Sequence, residues 1–179
     1  LVSKEFSDVI RYNTVYSESQ LDYNGNSVSL SARITESTEN LCEKRPFILL
    51  MHGGGFSAGT PSLMDSIATE FAKRGYVTAS IQYRLGFIGS SLTCPIDTVE
   101  LIRAWYRATQ DAKSAVRYFK EKHEEFKLDT NLFFAGGWSA GGYVLPGLIW
   151  MNDESEKPGQ IALLSDTSIN GQTYARPDL

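Results

Sequence analysis

Residues Phe133 to Tyr143 read FFAGGWSAGGY: an apolar run, a turn made largely of glycines with a serine at its tip, then the start of an apolar helix. No other stretch restricts the fold so tightly. A chain that reverses sharply from a buried strand into a helix needs small residues flanking the turn, and Gly137 and Gly141 stand two before and two after Ser139. The serine is then displayed at a helix N-terminus, where free N–H groups and the helix dipole favour a developing negative charge. A glycine-rich turn without chemistry is the alternative reading of the same residues.

A second glycine cluster, His52-Gly53-Gly54-Gly55-Phe56, follows the apolar run PFILLM. Three successive glycines at the end of a buried strand let backbone N–H groups approach a substrate oxygen, the geometry that an anionic tetrahedral intermediate requires. A tight turn or a phosphate loop are the other options. The phosphate loop lacks both the G-x-G-x-x-G spacing and a P-loop lysine.

The elements between these clusters point to one architecture. RYNTVYS from Arg11 and SVSLSARIT from Ser27 alternate apolar and polar residues around DYNGN, which predicts an antiparallel hairpin. PFILLMH, YVTASIQY and NLFFAGG are short, nearly continuous apolar runs of the kind covered on both faces. QIALLSD from Gln160 is a further such run. Thr60 and Pro61 predict a helix start, with Leu63, Ile67, Ala68 and Phe71 as its buried stripe and Gly75 as its stop. A longer helix is predicted from about Thr98 to Lys122, with Val99, Ile102 and Tyr106, then Ala112, Val116 and Phe119, on its packed face. AGGYVLPGLIWM forms a third. Strands alternating with helices imply an α/β fold, a mostly parallel sheet with helices on both faces behind an N-terminal hairpin. Residues 1–179 would form one domain, and both glycine clusters fall beyond the C-terminal ends of its strands, where open sheets of this kind bind ligands.

Composition narrows the partners. Seventeen Lys and Arg against twenty-one Asp and Glu, with no basic cluster, argue against nucleic acid. The longest aliphatic run is far shorter than the ~20 residues that cross a bilayer. The Cys and His spacing suits no metal, so neither a metal nor a cofactor is expected. The first residue is Leu1 rather than methionine. Removal of a secretory leader would permit a Cys42–Cys94 disulfide, closing a loop of about 50 residues and adding ~4 kcal/mol, and would lean the localisation towards secreted or extracytoplasmic. Two buried free thiols are equally compatible with the sequence.

HGGGF and GWSAGGY, with IQYRLGF between them and ATQDAKSAVRYF ahead of the nucleophile strand, resemble the α/β-hydrolase superfamily, and within it the esterases and lipases of the hormone-sensitive-lipase and carboxylesterase type. The resemblance runs from Pro46 to about Asp166. It implies Ser139 as nucleophile, oxyanion donors at the N–H groups of Gly54, Gly55 and Ala140, and a loop shaped by His52 and Gly53. It also implies a small or medium ester as substrate. In that family the acid and histidine of the triad follow the serine, whereas the two histidines of this chain, His52 and His123, precede it. The expectation is a chain lacking the last third of an esterase, completed by a further segment or a second chain.

Several residues carry two readings. His52 is a loop residue or a substitute proton acceptor, and His123, set among charges, is a surface residue. Asp166 is a strand-end aspartate or a triad acid. Asp111 resembles a recurrent structural aspartate that partners backbone or loop groups. Trp138, Phe56 and Tyr143 pack the core or line an acyl pocket. GGWSAGGY is also similar to the elbow of prolyl-oligopeptidase-like serine peptidases, and a non-catalytic binding protein on the same scaffold is the reading from outside enzymology.

Overall fold

The computed structural model describes residues 6–87, 97–156 and 158. Strands β1 (Val9–Leu21) and β2 (Ser27–Ser37) form the expected antiparallel hairpin. Its turn is fixed by Asp22, whose Oδ1 accepts the N–H groups of Asn24 and Asn26 at 2.8 Å each, while Gly25 takes φ 81°. The register shifts between Val15 and Ser17 and again between Ser17 and Gln20, which bends β1.

The hairpin joins β3 (Arg45–Met51), β4 (Val77–Ile81) and β5 (Leu128–Gly137) in one five-stranded sheet of order β1-β2-β4-β3-β5. β2 meets β4 antiparallel, and β3 pairs parallel with both β4 and β5. The sheet is thus mixed, with its parallel part carrying both glycine clusters. The run Gln160–Asp166 lies outside the described residues.

Successive residues of β3 point to opposite faces. Phe47, Leu49 and Met51 enter the main core with helices α2 (Thr98–Glu121) and α3 (Ala140–Trp150), whereas Ile48 and Leu50 meet Met64 and Ala68 near α1 (Asp65–Ala72). Helices therefore cover both faces, as α/β architecture requires.

Two helices differ from expectation in instructive ways. The first begins as a 3-10 turn, Pro61–Met64, before α1, and the Thr60 hydroxyl bonds the Ser62 hydroxyl at 2.8 Å rather than capping a backbone N–H. Of its expected stripe Ala68 is buried and Phe71 half-buried, while Leu63 and Ile67 are exposed, because no described element lies over them. α2 starts where predicted, capped by Asp97, whose carboxylate accepts the N–H groups of Val99 and Glu100. Its packed face is a stripe of Ala104, Ala108, Ala112 and Ala115 ending in Phe119, all at 0% exposure. Val99 is exposed, and Ile102 and Tyr106 pack in a separate cluster with Trp105 and Met151. Of the expected face Ala112 and Phe119 are fully buried and Val116 packs beside them, and the small side chains of Ala104, Ala108 and Ala115 bring the helix close to the sheet.

Candidate active site

Ser139 sits between β5 and α3 with φ 51° and ψ −121°, a left-handed conformation that costs an L-residue about 1–3 kcal/mol. Its surroundings hold it there. The Trp138 N–H donates to the Met51 carbonyl at 3.1 Å, and Gly141 and Gly142 donate back to Trp138 and Ser139 at 3.0 and 2.8 Å. The two flanking glycines are steric requirements: a Cβ on Gly137 would stand 2.2 Å from the Gly141 carbonyl oxygen, and one on Gly141 would stand 2.2 Å from that of Met51. The turn therefore presses against the end of β3 and leaves Ser139 exposed to solvent.

The loop leaving β3 passes directly beside this turn. A Cβ on Gly53 would lie 3.0 Å from the Ser139 Cβ. Gly54, Gly55 and Phe56 then take positive φ in succession, at 128°, 61° and 61°. The Gly54 carbonyl accepts the N–H groups of Ser57 and Ala58. Among the described residues, no turn or loop hydrogen bond uses the N–H of Gly54, Gly55 or Ala140 as donor. Gly55, Ser139 and Ala140 meet in a cavity of about 630 Å³, walled by Phe56, Leu101, Ile102, Trp105 and Tyr143. Gly54 is exposed and lies outside that lining.

His52 is fully buried. Its Nδ1 bonds the Gly53 carbonyl at 2.7 Å and so carries the ring proton, while Nε2 has no hydrogen-bond partner among the described residues. Burial holds its pKa below the ordinary imidazole value, which keeps the ring neutral and stacked on Tyr83 at 4.5 Å. Neither nitrogen bonds Ser139. His123 lies beyond the far end of α2, its Nδ1 donating to the Lys120 carbonyl. Asp166 lies outside the described residues, as does Cys94. Cys42 is exposed.

The aromatic residues divide by side of the sheet. Phe56 is both core and cavity wall, and Tyr143 is an exposed part of the wall. Trp138 does neither: it is 62% exposed and borders a different hollow, with Leu63, Ile67 and Phe134, on the α1 face. Leu101 and Trp105 gave no sequence signal beyond helical periodicity, yet they build the wall opposite Ser139. The Trp105 indole N–H donates to the Tyr143 carbonyl at 2.7 Å and fixes the ring between α2 and α3. Asp111 partners a loop as the resemblance implied: it accepts the Arg84 backbone N–H at 2.8 Å and pairs with the guanidinium at 2.7 Å, both side chains buried. Among the described residues, no group of three or more His, Cys, Asp and Glu could hold a metal, and no helix is long and apolar enough to cross a membrane.

Known proteins share the sequence and the fold. Residues 36–162 match the BD-FAE family. Gut esterase 1 of Caenorhabditis elegans is 33% identical over 131 residues, which is 72% of this chain and 22% of that protein. Among solved structures, esterase 2 of the planctomycete Thermogutta terrifontis is 26% identical with a TM-score of 0.57, over 74% of this chain and 41% of that one. A bacterial heroin esterase is 26% identical with a TM-score of 0.59, over 84% and 42%. The chain thus spans less than half the length of each of these relatives. It belongs to the BD-FAE family, an α/β-hydrolase of the hormone-sensitive-lipase and carboxylesterase type.

Proposed function

We propose that this chain is the nucleophile-bearing part of a serine carboxylic-ester hydrolase that works through an acyl-enzyme on Ser139. The observation that carries the reading is the shared cavity: an exposed serine at a strained turn beside the Gly55 and Ala140 backbone, whose N–H groups are not taken up by the turn.

In the reaction, the Ser139 Oγ attacks the ester carbonyl carbon and its proton passes to a base. The carbonyl oxygen gains the negative charge and is held by the N–H groups of Gly54, Gly55 and Ala140. Collapse of this intermediate breaks the bond to the alcohol oxygen, which leaves with the proton from the base. Water then repeats the sequence on the acyl-enzyme, releases the acid and restores the serine. Neither His52 nor His123 is placed as the base. The proposed base is a histidine from a further segment or a second chain that completes the site. The apolar walls favour a small or medium uncharged ester.

On the full-length protein, a fluorophosphonate probe labels Ser139, and Ser139→Ala lowers hydrolysis of p-nitrophenyl acetate at least ~10³-fold. Turnover at the wild-type rate in that variant would discard the assignment.

A further inference from the structure

The loop that offers Gly54 and Gly55 has little of its own to hold it. Three positive φ angles in a row and three missing side chains leave its direction to be set from outside. That support comes from the segment after β4. The Tyr83 hydroxyl donates to the His52 carbonyl at 2.7 Å, and its ring stacks on the His52 imidazole. Three residues on, the Gly86 N–H donates to the Phe56 carbonyl at 2.7 Å. The carbonyls at the two ends of His52–Phe56 are therefore gripped by one short stretch of chain.

That stretch is itself tied down. Asp111 on α2 holds the Arg84 backbone N–H and guanidinium at once, Arg84 Nη1 donates to the Leu21 carbonyl at 3.1 Å, and Arg107 on α2 donates to the Gly86 carbonyl at 2.8 Å. Gly86, at φ 95°, has no room for a Cβ, which would fall 2.1 Å from the Tyr23 ring. The helix that bears Asp111 and Arg107 also supplies Leu101, Ile102 and Trp105 to the cavity wall. The loop and the wall thus share one frame.

We propose that Tyr83 is a positioning residue for the oxyanion loop, acting through the His52 carbonyl, and that the Arg84–Asp111 pair locks Tyr83 to α2. The proposal rests on the esterase reading above and adds to it what fixes the N–H groups. Burial pushes the Tyr83 phenol pKa up, so the hydroxyl stays a donor across the working pH range. A phenylalanine at the same site would fill the same space, so the hydroxyl alone separates positioning from packing. A displacement of about 1 Å at such a loop can lower the rate on the order of 100-fold.

The test compares wild-type full-length protein with Tyr83→Phe, with rates normalised to the folded enzyme by active-site titration. The expected result is a kcat lowered roughly 10- to 100-fold, KM changed less than about twofold, and weaker binding of a trifluoromethyl ketone inhibitor in proportion to the loss in kcat/KM. Ground-state binding needs the cavity walls, whereas the ketone adduct needs the aligned N–H groups. Unchanged kcat per titrated site, or a ketone affinity that does not follow kcat/KM, overturns the proposal while leaving the esterase reading intact. Absence of esterase turnover in the wild type overturns the reading on which it rests. If Tyr83→Phe does not accumulate as folded protein, Asp111→Asn carries the same test: it keeps an oxygen for the Arg84 N–H and removes the charge. The proposal then expects the same pattern at smaller size, and a pure loss of thermal stability with normal kcat refutes it.

Discussion

Phe47 and Ile48 are neighbours on β3 and face opposite sides of the sheet, yet what lies over them differs. Above Phe47 the Phe119 ring sits at 4.8 Å, and beside it on β5 the Phe133 ring sits at 4.7 Å, within a core that draws on every described strand and on α2 and α3. Above Ile48 and its strand neighbour Leu50 the buried cover is Met64 and Ala68, with Phe71 and Tyr76 half-buried against it, and beside it Leu63, Ile67, Phe134 and Trp138 stay exposed. Both residues belong to one apolar run and look alike in sequence. Burial is a property of the partner element, and a run that reads as covered on both faces does not report how completely each cover is built.

The contrast can be broken by substitution, with unfolding in urea as the measurement on the full-length protein. Phe47→Ala on the closed face is expected to lower stability by ~3–5 kcal/mol, since the ring is at 0% exposure with aromatic neighbours that cannot close the gap. Ala112→Leu on the same face is expected to cost ~1–3 kcal/mol through overpacking of the alanine stripe. Ile67→Ser on the other face is expected to stay within ~0.5 kcal/mol, as for an ordinary surface position. An Ile67 penalty approaching that of Phe47 would mean the α1 face is covered in the working protein, and the two faces would then be equivalent.

Much of this was legible in the chain because it depended on local chemistry. The hairpin turn follows from DYNGN, the start of α2 near Thr98 from its helical pattern, and the Ser139 turn from glycines that the fold cannot replace. Gly55 and Ala140, which line the cavity with Ser139, were nameable through the family resemblance that the two glycine clusters carry. What escaped depended on distant packing. Alanines carry little hydrophobic signal, so of the buried face of α2 only Ala112 and Phe119, with Val116 packed beside them, follow from the sequence, while Ala104, Ala108 and Ala115 do not. Trp105 became a wall residue only through its bond to Tyr143, thirty-eight positions away. Trp138, adjacent to Ser139, borders the hollow on the α1 face, because the two side chains point apart at a sharp turn. The grip of Tyr83 and Gly86 on the His52–Phe56 loop links two strands through side chain and backbone, and no periodicity records that.

The glycines around Ser139 also bear on how such a site can change over time. Gly53, Gly137 and Gly141 each have a neighbouring atom within 3.0 Å of where a Cβ would stand, and for Gly137 and Gly141 that atom is backbone oxygen, which cannot move aside. These positions admit no gradual variation: almost any mutation there is fatal to the turn. Leu101, Ile102, Trp105 and Tyr143 are side chains on helices and can be exchanged one at a time without touching the backbone that displays the serine. The shape of the cavity wall is therefore free to drift along two helices while the turn that displays Ser139 stays fixed.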